Sequence, residues 1–152
     1  MFWTNRGSFL ILDWIFHRQA MPTNLYVALV TADIEPTVKI NTFGQLTEIA
    51  DGNGYTTGGY QITPDATDFD VMTQDDVNDL ALTQIKDIAW TATGGPIPAS
   101  GDGARYAVLL DDNGTIANRQ VIAVWDMITD RAVTVGNPLT LIDLELKTVQ
   151  PT

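Results

Sequence analysis

The 152-residue chain has no cysteine, one histidine, two serines, and eight basic residues against nineteen acidic ones. Without cysteine there are no disulfides, no thiolate catalysis and no cysteine-ligated zinc or iron–sulfur centre. The single imidazole, His17, removes most histidine-based metal sites and makes any Ser-His-Asp triad depend on one residue. Ser8 and Ser100 lie in no G-x-S-x-G nucleophile turn. A formal charge of −11 leaves no basic cluster for a phosphate backbone, so direct nucleic-acid binding is not expected. No window reaches the ~20 apolar residues that cross a bilayer, so no membrane span is expected either. The apolar stretch Phe9–Phe16 is short, contains Asp13 and runs into His17-Arg18-Gln19 instead of a small-residue cleavage site, which argues against a secretion signal. What is present is globular: 45% hydrophobic and 18% charged residues, in a chain long enough to bury roughly 68–70% of its unfolded surface in one core.

The pattern along the chain is one helix followed by strands. Thr4 or Asn5 serves as N-cap, and Phe9, Leu12 and Phe16 share one helical face. Leu10, Ile11, Trp14 and Ile15 fill most of the remaining circumference, so this helix needs cover on more than one side. Pro22 is the expected stop. Leu25–Thr31 (LYVALVT) is apolar in both alternation frames, which predicts a strand covered on both faces. Weaker strands fall at Leu46–Ile49 and Tyr55–Ile62, with turns at Asp51–Gly54 and Gly58–Gly59. Ile85–Thr93, Ala104–Leu110 and Gln120–Ile128 follow, the last two joined through an Asn113-Gly114 hairpin turn with positive φ. Leu139–Leu146 is the last strand, with a frame change that predicts a bulge near Leu141–Ile142 or a strand covered on both sides. The expected architecture is mainly β: an N-terminal helical arm over 1–22, then an antiparallel β-sandwich domain over 23–152.

Candidate chemistry is sparse. His17 and Arg18 fit a helix C-terminus, where cations complement the dipole. Residues 65–87 carry seven acids and one lysine, and Asp68, Asp70, Asp75, Asp76 and Asp79 offer oxygens of the kind Ca²⁺ prefers. Their spacing matches no EF-hand, and acids scattered on a solvated loop explain the run better. Asp126 beside Trp125 and Asp87 near Trp90 are the best pair for a glycosidase, yet strand alternation sends both tryptophans to the core. No phosphate-binding loop occurs. No catalytic residue, metal or cofactor is expected.

The order of motifs carries more. An apolar Leu12–Phe16 segment leads into Leu25–Thr31. A Gly58-Gly59-Tyr60 turn and a Trp90 strand ending at Ala92–Ile97 come next. Ala104–Asp112, Val121–Asp126 and Val133–Leu141 complete the chain. This order resembles a family of small tailed-bacteriophage virion proteins of the tail-fibre or head-decoration type, most firmly over residues 10–31 and 88–147. Family members often carry Gly-Gly-Tyr-x-Arg; here Gln61 and Ile62 follow Tyr60, so no role for that arginine carries over. The resemblance implies a non-enzymatic structural component of a phage particle, made in the host cytoplasm and located in the virion. Its partners would be other phage structural proteins and further copies of itself, as a trimer or ring. Phe2, Trp3, Phe9, Leu10, Ile11, Trp14 and Ile15 are the expected interface, because this segment holds more apolar surface than one sheet can cover. The alternative is a carbohydrate-binding module for host attachment, with Tyr55, Tyr60 or Trp90 as stacking platforms.

Overall fold

The computed structural model describes residues 1–149; residues 150–152, the end of the expected sandwich domain, lie outside them. The fold is mainly β and antiparallel, with one α-helix near the N-terminus, as the sequence predicts. The main sheet runs β1 (Phe2–Trp3), β8 (Val121–Arg131), β7 (Ala104–Leu110), β2 (Leu25–Val30) and β3 (Tyr60–Ile62). A three-stranded sheet pairs β10 (Leu144–Val149) with β5 (Leu80–Ile85) and β5 with β4 (Val71–Asp75). β6 (Ile88–Thr91) and β9 (Pro138–Leu141) form a third, two-stranded sheet.

The main sheet is apolar on both faces because both are covered. Val27, Leu29, Ala107, Leu109, Ala123 and Trp125 face one core, closed by Ile85, Ile88, Trp90, Leu139 and Leu144 of the smaller sheets. Ala28, Val30, Val108, Leu110 and Val124 face the other, closed by Phe43 and Leu46 from the long 31–59 connection. That double cover is what the apolar frames of Leu25–Thr31 require. The three-stranded sheet is fastened to the main one at β10, where two carbonyls take indole donors. Trp3 Nε1 donates to the Lys147 carbonyl at 2.8 Å and Trp125 Nε1 to the Glu145 carbonyl at 2.9 Å.

Several sequence expectations are corrected. The helix, α1 (Asn5–Phe16), ends before Pro22: His17 caps it, donating its N–H to the Asp13 carbonyl, and Arg18 turns away at φ +55°. The acidic 65–87 run is no plain loop but contains the β4–β5 hairpin, whose turn is fastened by Asp75 accepting from the Val77 and Asn78 amides. Leu46–Ile49 forms no strand beyond a bridge between Val30 and Glu48, and Tyr55–Ile62 shortens to β3. Asn113 and Gly114 do not take positive φ. The β7–β8 connection is instead a longer loop, with a 3₁₀ turn at Ile116–Asn118, pinned by Asp111 accepting from Gln120 N at 2.8 Å. The frame change at Leu141–Ile142 is a break, not a bulge: Asp143 at φ +53° lets the chain leave β6 and pair with β5. A bulge does occur in β8, where Leu109 opposes Ala123 and Leu110 opposes Val121, leaving Ile122 unpaired.

Candidate docking surface

The N-terminal helix is seated on that bulge. Thr4, fully buried, is its N-cap: the hydroxyl accepts from the Gly7 amide at 2.8 Å and donates to the Val121 carbonyl, while the Thr4 amide donates to the Ile122 carbonyl at 3.1 Å. Gly7 permits this approach, since a Cβ there would stand 2.0 Å from the Ile122 carbonyl oxygen. The inward face of α1 is therefore Gly7, Leu10, Ile11 and Trp14. Leu10 is buried in the core, and Ile11 and Trp14 are half-buried.

The outward face is equally apolar and lies open. Phe9 is 50% exposed, Leu12 55%, Ile15 63% and Phe16 73%. Helical geometry puts these four in one stripe, and Arg6 lies over the Phe9 ring at 4.9 Å. Of the expected interface residues, Phe9 and Ile15 are on this stripe. Leu10 is spent on the chain's own core, and Phe2 and Trp3 are half-buried in β1, paired with Val124 and Ala123. Leu12 and Phe16 complete the stripe although the expected interface omits them. The missed signal is Gly7: a glycine three, four and seven residues before Leu10, Ile11 and Trp14 marks the face of close approach, which leaves Phe9, Leu12 and Phe16 opposite it. Off the stripe, Ile11 and Trp14 line an apolar cleft of about 430 Å³ together with Met21, Phe69 and Met72.

Other candidate groups are structurally committed. His17 Nδ1 lies 2.7 Å from Asp13 Oδ1 at the helix end. Asp68 is ion-paired to Lys86, which, with the Thr63 amide, holds its carboxyl below the usual range. Asp75 is likewise held low by Asn78. Asp70, Asp76 and Asp79 are exposed, and among the described residues no three acidic or histidine side chains gather into a metal cage. Arg105 bonds Asp126 at 2.8 Å and lowers its carboxyl pKa, the opposite of what a glycosidase general acid needs. Asp87 is exposed on the β5–β6 connection. Trp90 and Tyr55 are buried and packed at 5.7 Å, with half-buried Tyr60 edge-on to Trp90 at 6.2 Å, so two of the three proposed sugar platforms are enclosed.

A polar cluster that sequence reasoning missed holds the 31–59 connection. Tyr55 OH donates to Glu48 Oε1 at 2.8 Å and accepts from the Leu29 amide at 3.0 Å. Glu48 also accepts from the Gly58 amide at 2.6 Å, and buried Arg119 donates to the Gly58 carbonyl while covering the Tyr26 ring. Burial pushes the Glu48 carboxyl and the Tyr55 phenol upward. These donors and acceptors are spent on fastening backbone, with Gly58 and Gly59 at φ +87° and +83° supplying the turn. Comparison with family models, curated proteins and solved structures found no match for this chain.

Proposed function

We propose that this chain is a non-enzymatic structural component of a tailed-bacteriophage particle, of the head-decoration or tail, fibre or collar kind, docked through the outward face of α1. The observation that carries the reading is the stripe of Phe9, Leu12, Ile15 and Phe16, exposed on a helix whose other face is turned onto the chain's own core. Contiguous exposed apolar surface of this kind marks an interaction site. The order of motifs along the chain supports the virion assignment. So does the charge of −11, which keeps many copies soluble before assembly and disfavours a place against packaged DNA. The Glu48–Tyr55–Arg119 cluster and the paired aspartates serve the fold, which fits a protein whose work is assembly.

The test is electron microscopy of purified particles carrying a label at this chain's C-terminus. Regularly placed label on the head or tail is expected. Label found only in the soluble fraction of the lysate overturns the proposal.

A further inference from the structure

We infer that the stripe on α1 is covered by a second copy of this chain: each helix lies on the β4–β5 hairpin of a two-fold-related partner. The inference rests on the docking role of α1 proposed above and names its occupant.

Three features point there. The first is charge. Residues 1–22 carry Arg6 and Arg18 against Asp13 alone, whereas residues 65–87 carry seven acids and one lysine. Placing the first segment on the second pairs opposite signs at the rim of an apolar contact. The second is the hairpin surface. β4 is an edge strand exposed at four of its five positions, Met72 is 83% exposed, and Val77 at the turn is 90% exposed. Met72 and Gln74 share one face of the strand, in phase with Asp70 and with Asp76 just beyond it, so apolar and acidic groups are presented together. The third is position. Ile11 and Trp14 of the helix and Phe69 and Met72 of the hairpin region line the same cleft, so helix and hairpin are neighbours in the fold. A two-fold axis between helix and hairpin sets the outward face of each helix on the other copy's hairpin in one operation, as a self-complementary interface requires.

The rival covers fit less well. Two such helices packed antiparallel about Leu12 set Arg6 opposite Arg18, like against like. An anionic bilayer attracts two arginines but repels a chain of net charge −11.

The test is sedimentation equilibrium of the full chain and two exposed-site variants. The helix variant is Arg18→Glu with Gln19→Glu. The hairpin variant is Asp70→Lys with Asp76→Lys, which spares Asp75, the turn cap, and Asp79, at φ +52°. The full chain is expected to pair, and each variant alone to pair at least about tenfold more weakly. An equimolar mixture is expected to recover the wild-type constant. In the mixed pair, the glutamates of the helix variant meet the lysines of the hairpin variant at one contact, while Arg18 meets native aspartates at the other. Circular dichroism melts confirm that the variants are folded; if the double hairpin change unfolds, Asp70→Lys alone serves.

A wild-type chain that stays single at every concentration overturns the pairing, yet leaves docking onto a different virion protein open to the labelling experiment. Variants that pair like wild type, or a mixture that does not recover, also overturn it. So does a single-copy chain that floats with vesicles of anionic lipid, which would assign the stripe to a bilayer.

Discussion

At the scale of single residues, the junction of Thr4, Gly7 and Ile122 decides how the N-terminus sits. A glycine-to-alanine change in a helix ordinarily favours the helix by about 1 kcal/mol. Here the added methyl would stand 2.0 Å from the Ile122 carbonyl oxygen, against backbone that cannot swing aside. Gly7→Ala is therefore expected to destabilise the protein by about 2 kcal/mol in urea unfolding, as overpacking does; a stabilised variant would mean that α1 does not rest on the bulge. Glu48 gives a second residue-scale expectation. Its pKa is raised above the ordinary 4.5, chiefly by burial. The folded state thus holds the proton more tightly, and stability from this group is complete below pH 4.5 and lost as pH rises through the folded value. Glu48→Gln does not titrate, so the margin of wild type over Glu48→Gln should shrink as pH rises from about 4.5 and then level off. Urea midpoints across about pH 4 to 8 read this directly, and a margin that grows would contradict it. Asp68 and Asp126, held low by Lys86 and Arg105, act in the opposite sense: their stabilisation is present above the unfolded carboxylate pKa and lost as pH falls through the folded values.

At the scale of elements, the indoles of Trp3 and Trp125 fasten β10 to the main sheet by donating to carbonyls two residues apart. Trp125→Phe keeps a ring in place but removes one donor, and should cost about 1 kcal/mol or somewhat more if the Glu145 carbonyl stays dry. Amide exchange should localise the loss, with β10 and its partner β5 opening more readily while β2 and β7 are little changed. Elements are legible in the sequence where one pattern dominates. Ala104–Leu110 is readable to the residue, and the double-sided apolarity of Leu25–Thr31 announces a covered strand. The breaks are not legible. Leu139–Leu146 changes frame because the chain passes from one sheet to another, and local sequence records the change of face but not the change of partner. The β4–β5 hairpin is hidden because β4 is largely exposed and both strands sit in an acidic run whose composition resembles a loop, while β5 is held by pairing with β10, distant in sequence. The Glu48–Tyr55–Arg119 cluster is invisible for the same reason: its members meet only after the 31–59 connection folds over the sheet. At the candidate site, the sequence shows that α1 is apolar nearly all round, but which face is turned inward depends on the bulge at Ile122, which no local pattern records.

At the scale of the whole molecule, two opposite apolar demands meet in one short helix. Its inward face closes the core between the main sheet and the smaller ones, so deleting residues 1–22 would remove β1, Thr4 and Leu10 along with the docking stripe and would confuse folding with assembly. Substitution on the outward face separates the two. Phe9, Leu12, Ile15 and Phe16 contribute little to the fold of one copy because they remain largely exposed in it, and surface changes away from packed features usually stay within about 0.5 kcal/mol. Whether those side chains are covered in the assembled state is the claim on which the functional account turns. Hydroxyl-radical footprinting of the isolated chain at high dilution and of the same chain in purified particles measures it side chain by side chain. The account predicts that Phe9, Leu12 and Phe16 lose most of their labelling in the particle, while Val135, exposed on the turn before β9, serves as the reference. Equal labelling of Phe9, Leu12 and Phe16 in the two states would contradict it.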